Sequence, residues 1–139
     1  MKKYLYLIAV ILVSVLINVN ANFFNTNDSW IKISKPESGI YFNGEKIIPS
    51  KIYVFIGGDI IDVSVNASSN IFTAYFLLYD IMKKDLVEGI WDGNALGGFS
   101  CEFSLNTGIY AIAVAGFAID AEEPVAIDWI MPVVCFYSG

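Results

Sequence analysis

Apolar and polar positions alternate with a period of two through most of the chain. In Trp30–Lys35, Ile31 and Ile33 alternate with Lys32 and Ser34, which predicts a half-buried strand. Pro36 ends it, because proline cannot donate to a ladder. Asn43-Gly44 lies between Ile40–Phe42 and Lys46–Ile48. Both central positions of a tight hairpin turn need positive φ, so this dipeptide predicts a small hairpin. Lys51–Phe55 and Ile60–Val65 read as two strands separated by the turn Gly57-Gly58. In the second, Ile61, Val63 and Val65 alternate with Asp62, Ser64 and Asn66, so one face is wet.

Phe72–Tyr79 is a denser apolar run, expected in the middle of a sheet and covered on both sides. Asp80–Asp85 reads as a solvated turn, Leu86–Trp91 as a short strand, and the glycine-bearing Asp92–Gly98 as a mobile loop. Phe99, Cys101, Phe103 and Leu105 share one face of the next strand, against Ser100, Glu102 and Ser104. The run Leu105–Asp120 is the centre of the pattern. Tyr110, Ile112 and Val114 occupy one phase, and Ile109, Ala111, Ala113 and Ala115 the other. It reads as a strand buried on its large-residue side and close-packed on its small-residue side. Ala121–Pro124 is a hairpin loop, and Ala126–Tyr137 a last strand in which Pro132 implies an edge position or a bulge. No segment sustains a helical period, and no repeat has solenoid spacing. The expectation is an all-β fold: an antiparallel sandwich of about seven to nine short strands, from residues 30 to 139.

The amino end follows a different rule. Met1-Lys2-Lys3 is basic, Tyr4–Ile17 is apolar except for Ser14, and Val19-Asn20-Ala21 offers small residues suited to signal peptidase. Residues 1–21 are expected to form a signal helix, cleaved to leave Asn22, or else an uncleaved anchor; a spanning helix wants ~20 apolar residues. Residues 22–29 form a polar leader. The remaining ~118 residues suffice for one modest core. The whole chain carries 8 basic and 14 acidic residues, a net charge of −6. All basic residues are Lys, and His is absent. An acidic chain without Arg is poorly suited to nucleic acid or to anionic lipid. Without His there is no imidazole acid–base pair and no His-based zinc site, so neither catalysis nor a cofactor is expected.

The segment Lys35-Pro-Glu-Ser-Gly-Ile-Tyr-Phe-Asn-Gly-Glu-Lys-Ile-Ile-Pro49 resembles the opening of immunoglobulin-like domains in secreted and cell-surface proteins of archaea and some bacteria. Ile56–Val65 and Gly108–Asp120 resemble their later strands, so the likeness spans about residues 30–138. The spacing Asn106-x-Gly108-x-Tyr110 looks like the turn and corner tyrosine before the sixth strand of such a sandwich. The resemblance implies a structural, adhesive or protein-binding module at the cell surface, with a protein or an envelope glycan as partner. A small-ligand or Ca²⁺-binding module and an immunoglobulin-like protease inhibitor are the alternatives.

Candidate chemistry is sparse. An exported chain with Cys101 and Cys135 invites a disulfide, although these are not the positions of the customary immunoglobulin pair; two buried thiols are the other reading. Asp120, Glu122, Glu123 and Asp128 surround one hairpin, and Asp92 with Asn94 lies in the glycine loop; loop oxygens of this kind suit Ca²⁺, though their spacing matches no calcium motif. Asn27 and Asn66 begin glycosylation triplets. Among the aromatics Trp30, Trp91, Trp129, Tyr41, Tyr53 and Tyr137, most are expected in the core or at its rim, and Trp91 is expected to be the most exposed.

Overall fold

The computed structural model describes residues 29–137. The expected signal helix and the sequon at Asn27 lie outside the described residues. Ser29, assigned by sequence to the leader, is buried, and its hydroxyl accepts a hydrogen bond from the Asn70 amide.

Among the described residues, ten strands build two sheets. The smaller sheet has the order β1 (Ile31–Lys35), β5 (Ile60–Ala67), β8 (Phe99–Ser104). The larger has seven strands in the order β3 (Glu45–Ile48), β2 (Gly39–Phe42), β4 (Tyr53–Ile56), β10 (Ala126–Phe136), β9 (Gly108–Phe117), β6 (Thr73–Asp80), β7 (Asp85–Asp92). The all-β sandwich therefore holds, with ten strands rather than seven to nine. The Asn43-Gly44 turn has φ of 49° and 86°, as a tight hairpin requires, and makes β2 and β3 separate short strands.

The expectation of a purely antiparallel arrangement fails at one place. β4 runs parallel to β2 and to β10. The reason is topological. β3 returns antiparallel to β2, and residues 49–52 then cross past the start of β2, where the Gly39 N–H donates to the Ile52 carbonyl at 2.8 Å. A second reversal on the far side of β2 leaves β4 pointing the same way as β2.

The main core lies between the sheets. Phe76, Leu78, Ile112, Val114 and Val133 from the large sheet meet Ile31, Val63, Phe99 and Phe103 from the small one. Burying each such side chain contributes roughly 1.5–3 kcal/mol. The alternation read from sequence places these residues inward: β5 buries Ile61, Val63 and Val65 and exposes Asp62 and Asn66. Pro132 lies in an interior strand, at a register shift between Ile130 and Val133, so it marks a bulge and not an edge.

A second apolar cluster covers part of the outer face of the large sheet. It contains Tyr75, Leu77, Ala113, Ala115, Phe117 and Ile127, with Trp91, Trp129, Tyr79 and Leu86 packed against it. Cross-strand register explains it. Trp91, Tyr75, Ala115 and Ile127 form one row across β7, β6, β9 and β10, and Gly89, Leu77, Ala113 and Trp129 form the next. Ala115, Ala113 and Gly89 stand between or beside the larger residues of these rows, so rings can lie over the alanines and the glycine. A methyl group on Gly89 would collide with the Tyr75 ring.

Three of the four sheet edges are tied. The Ile33 N–H on β1 donates to Asp128 Oδ2 on β10 at 2.8 Å, which bridges the two sheets. Asp92 at the end of β7 accepts from Ser100 N–H on β8 at 3.0 Å, joining those two edges. β3 has no comparable tie, and all four of its residues are exposed.

Candidate functional site

A cleft of about 340 Å³ opens where β2, β3 and β4 extend past the small sheet. Its walls are Tyr41, Phe55 and Cys135, one row of the large sheet, on one side and Ile60, Ile61 and Leu105 on the other. Tyr41 and Phe55 stack with centroids 4.6 Å apart and planes 13° from parallel. The Tyr41 hydroxyl donates to the Glu37 carbonyl at 2.7 Å, and Lys46 Nζ pairs with the Glu37 carboxylate at 3.2 Å. The sequence reading did not find this cleft, because its lining comes from five separated stretches between Lys35 and Tyr137.

Burial shifts two of the titratable groups that line the cleft. Burial pushes the Tyr41 phenol above its usual range despite the opposing pull of Lys46, and it pushes the Cys135 thiol up to about 12. A cavity of this size with apolar walls and a few polar rim groups can hold a small apolar molecule.

The sequence-predicted residues fall in separate places. Cys101 and Cys135 are both free thiols, so the expected bridge is absent. They sit on different sheets, Cys101 opposite Val63 and Cys135 opposite Gly108. Burial first, and then Glu88, Asp92, Asp62 and Glu102, push the Cys101 thiol up to about 12 as well. Both pack as small apolar groups.

The acidic residues near the last hairpin do not form a cluster. Asp120, Glu122 and Glu123 are exposed on the loop, whereas Asp128 is half-buried inside β10 and bonded to Ile33. Among the described residues no three His, Cys, Asp or Glu come together as a metal-holding group. Asp92 is also engaged locally: Oδ1 accepts from the Asn94 N–H at 2.9 Å, and Oδ2 from Ser100. Tyr110 is buried, and its hydroxyl donates to the Asn106 carbonyl at 3.0 Å. Asn66 stands exposed on the wet face of β5.

Trp91 is the clearest correction among the aromatics. It is half-buried, edge-on to Tyr75 at 4.3 Å and tilted against Phe117 at 5.3 Å. The exposed tryptophan is Trp30, at 48%. Trp129 is half-buried in the outer cluster, Tyr53 is half-buried, and Tyr137 is exposed, its N–H held by the Thr107 hydroxyl at 3.0 Å.

A second surface was also missed by sequence. Tyr41 and Phe55 face the cleft, so Phe42 and Ile56, one residue on, face outward. Register aligns Phe42, Ile56 and Phe136 in one row across β2, β4 and β10. Ile48, Ile40, Val54 and Val134 form the neighbouring row. Phe42 is 51% exposed, Ile48 51% and Phe136 52%, and Ile47 and Ile52 beside them are exposed too. Large apolar side chains in adjacent rows at a sheet margin form a patch of the kind that marks an interaction surface. The alternating apolar positions of 40–42, 54–56 and 134–136 are visible in the sequence; their joining across parallel strands is not.

Comparison with known proteins matched the chain to no protein family and to no curated relative. The fold and its surfaces define a two-sheet β-sandwich with an apolar margin on its large sheet and a cleft behind it.

Proposed function

We propose that the chain is an exported, non-enzymatic immunoglobulin-like module that binds a protein or an envelope glycan at the cell surface in a structural or adhesive role. The observation that carries this reading is the apolar double row Phe42–Ile56–Phe136 and Ile48–Ile40–Val54–Val134, in which Phe42, Ile56, Phe136 and Ile48 are exposed and the rest half-buried, since contiguous apolar surface of this kind is what interaction sites use. The corner hydrogen bond of Tyr110, the sandwich architecture and the basic-then-apolar amino end support it. The free cysteines need no bridge in this reading.

Mass spectrometry of the protein recovered from its host tests the export half. A terminus at Asn22 and recovery outside the cytoplasm are expected, and glycan on Asn66 would add to the case. An intact Met1 in a cytoplasmic fraction would overturn it. A pull-down on envelope fractions tests the binding half: capture should be lost with Phe42→Asp, and equal capture by the variant would contradict the assignment of this face.

The cleft supports a second reading, a module for a small apolar ligand. It predicts that such compounds raise the melting temperature, because a ligand specific for the folded state stabilises it, and that Tyr41→Ala abolishes the shift.

A further inference from the structure

We propose that the apolar margin of the large sheet is a contact surface for a second copy of this chain, packed face to face about a two-fold axis that runs along the cross-strand rows.

Seven of the eight register positions in the two rows are apolar, and the eighth, Glu45, stands at the β3 corner of the face. Burying the seven strips water from apolar atoms. Its charges lie at the two ends. Glu45 is the register partner of Phe42, so it stands on the same face where β2 finishes, at one end of the patch along the strand direction. Lys51 is exposed in the connection that leads into β4, at the opposite end, beyond Ile48. Neither joins the ion pair between Lys46 and Glu37.

A two-fold axis along the rows reverses the strands of the second copy and exchanges these ends. Glu45 of each copy then meets Lys51 of the other, twice per dimer. A two-fold axis along the strands would instead carry Glu45 across to the β10 side of the other copy, away from Lys51. The patch is thus self-complementary in apolar content and in charge, which is what an isologous interface needs.

The rival geometry is pairing through the open edge of β3. That strand is four residues long, carries a register shift opposite Ile40 and Tyr41, and is followed by Pro49. Each of these features blunts an edge against strand addition. The face therefore carries the contact.

Its size sets the strength. Four strands at ~4.8 Å spacing and about four residues of ~3.3 Å give a footprint of roughly 300 Å² with side chains. That is well below the ~800 Å² per partner of a tight interface, so the dimer belongs to the weak class.

The inference rests on the reading of a binding module but can fail separately from it. The experiment is sedimentation equilibrium of the chain as purified, its terminus fixed by mass spectrometry, from about 10 μM to 1 mM, a range that spans weak dissociation constants. A concentration-dependent dimer is expected. Phe42→Asp and Phe136→Asp should each leave a monomer with unchanged circular dichroism, which also removes association through the amino end as an explanation. Glu45→Lys and Lys51→Glu should each weaken the dimer by about two- to fivefold per contact, as for exposed ion pairs. The double variant Glu45→Lys/Lys51→Glu should recover wild-type affinity. A monomer across the range, or a dimer indifferent to both aspartate variants, would overturn the proposal. A double variant as weak as the singles would overturn the two-fold register. A monomer whose face still captures an envelope protein would refute the second copy and leave the binding-module reading standing.

Discussion

The two halves of the outer face of the large sheet are built from the same strand type but differently filled. Across β7, β6, β9 and β10, each row sets an alanine between larger residues, Gly89 adds a further gap, and Tyr75, Leu77, Phe117 and Ile127 are buried. Across β3, β2, β4 and the end of β10, no position of the two rows is alanine or glycine, Glu45 takes the β3 place beside Phe42, and Phe42, Ile48 and Phe136 stay about half exposed. The bulge between Ile130 and Val133 separates the two regimes within one strand. The difference is one of shape, not of hydrophobicity. A ring can lie over an alanine or a glycine next to it; Phe42, set between Glu45 and Ile56, has no such trough. The first half satisfies itself as a packed layer, and the second holds apolar surface ready for something outside the domain.

The sharpest way to break this contrast is to truncate one ring in each half. Tyr75→Ala is expected to cost about 3–4 kcal/mol, as large-to-small changes in packed clusters do, whereas Phe42→Ala should cost under ~1 kcal/mol. Equal losses in denaturant melts would show that both halves are core. Next in size is Gly89→Ala. The new methyl group meets the Tyr75 ring, so the ring must leave its seat, at an expected cost of about 1–3 kcal/mol. A stabilised variant would mean that Tyr75 is not held there.

Asp128 probes the tie between sheets behind the packed half. Asp128→Ala removes the acceptor of the Ile33 N–H, and leaving that donor unpaired should cost about 1–3 kcal/mol. Asp128→Asn keeps an acceptor, and its effect depends on pH. Burial raises the Asp128 carboxyl above its ordinary value of 3.8, against the opposing effects of the Ile33 and Trp129 N–H groups and Lys32. The folded state therefore holds this proton more tightly than the unfolded state. The stability associated with protonation is present below 3.8 and is lost as pH rises through the raised folded value. Relative to wild type, Asp128→Asn should gain stability as pH climbs through that window and then level off. A difference independent of pH would contradict the burial account. The smallest effect belongs to Tyr110→Phe, which deletes the hydrogen bond to the Asn106 carbonyl and should cost about 1 kcal/mol without altering association.

What the sequence made legible was local. The hairpin at Asn43-Gly44, the alternation of β5 and β8, the two phases of β9 and the bond from Tyr110 to a residue four positions earlier all depend on neighbours in the chain. What it hid depends on distant partners. The parallel pairing of β4 follows from a crossing past β2 that leaves no mark on periodicity. Trp91 read as exposed because its covering residues, Tyr75 and Phe117, come from other strands. Asp128 read as a loop ligand because Ile33, its partner, lies 95 residues away. The cleft and the apolar margin were hidden for the same reason: each is assembled from short stretches that only the sheet order brings together.

The most direct test of the contrast is hydroxyl-radical footprinting of the intact chain at several concentrations. Phe42 and Phe136 should oxidise readily in dilute protein and become protected as concentration rises, while Tyr75 and Phe117 stay protected throughout. Protection of Phe42 and Phe136 that is already complete in dilute protein, or exposure that never changes with concentration, would contradict the assignment of this margin as a surface for self-association.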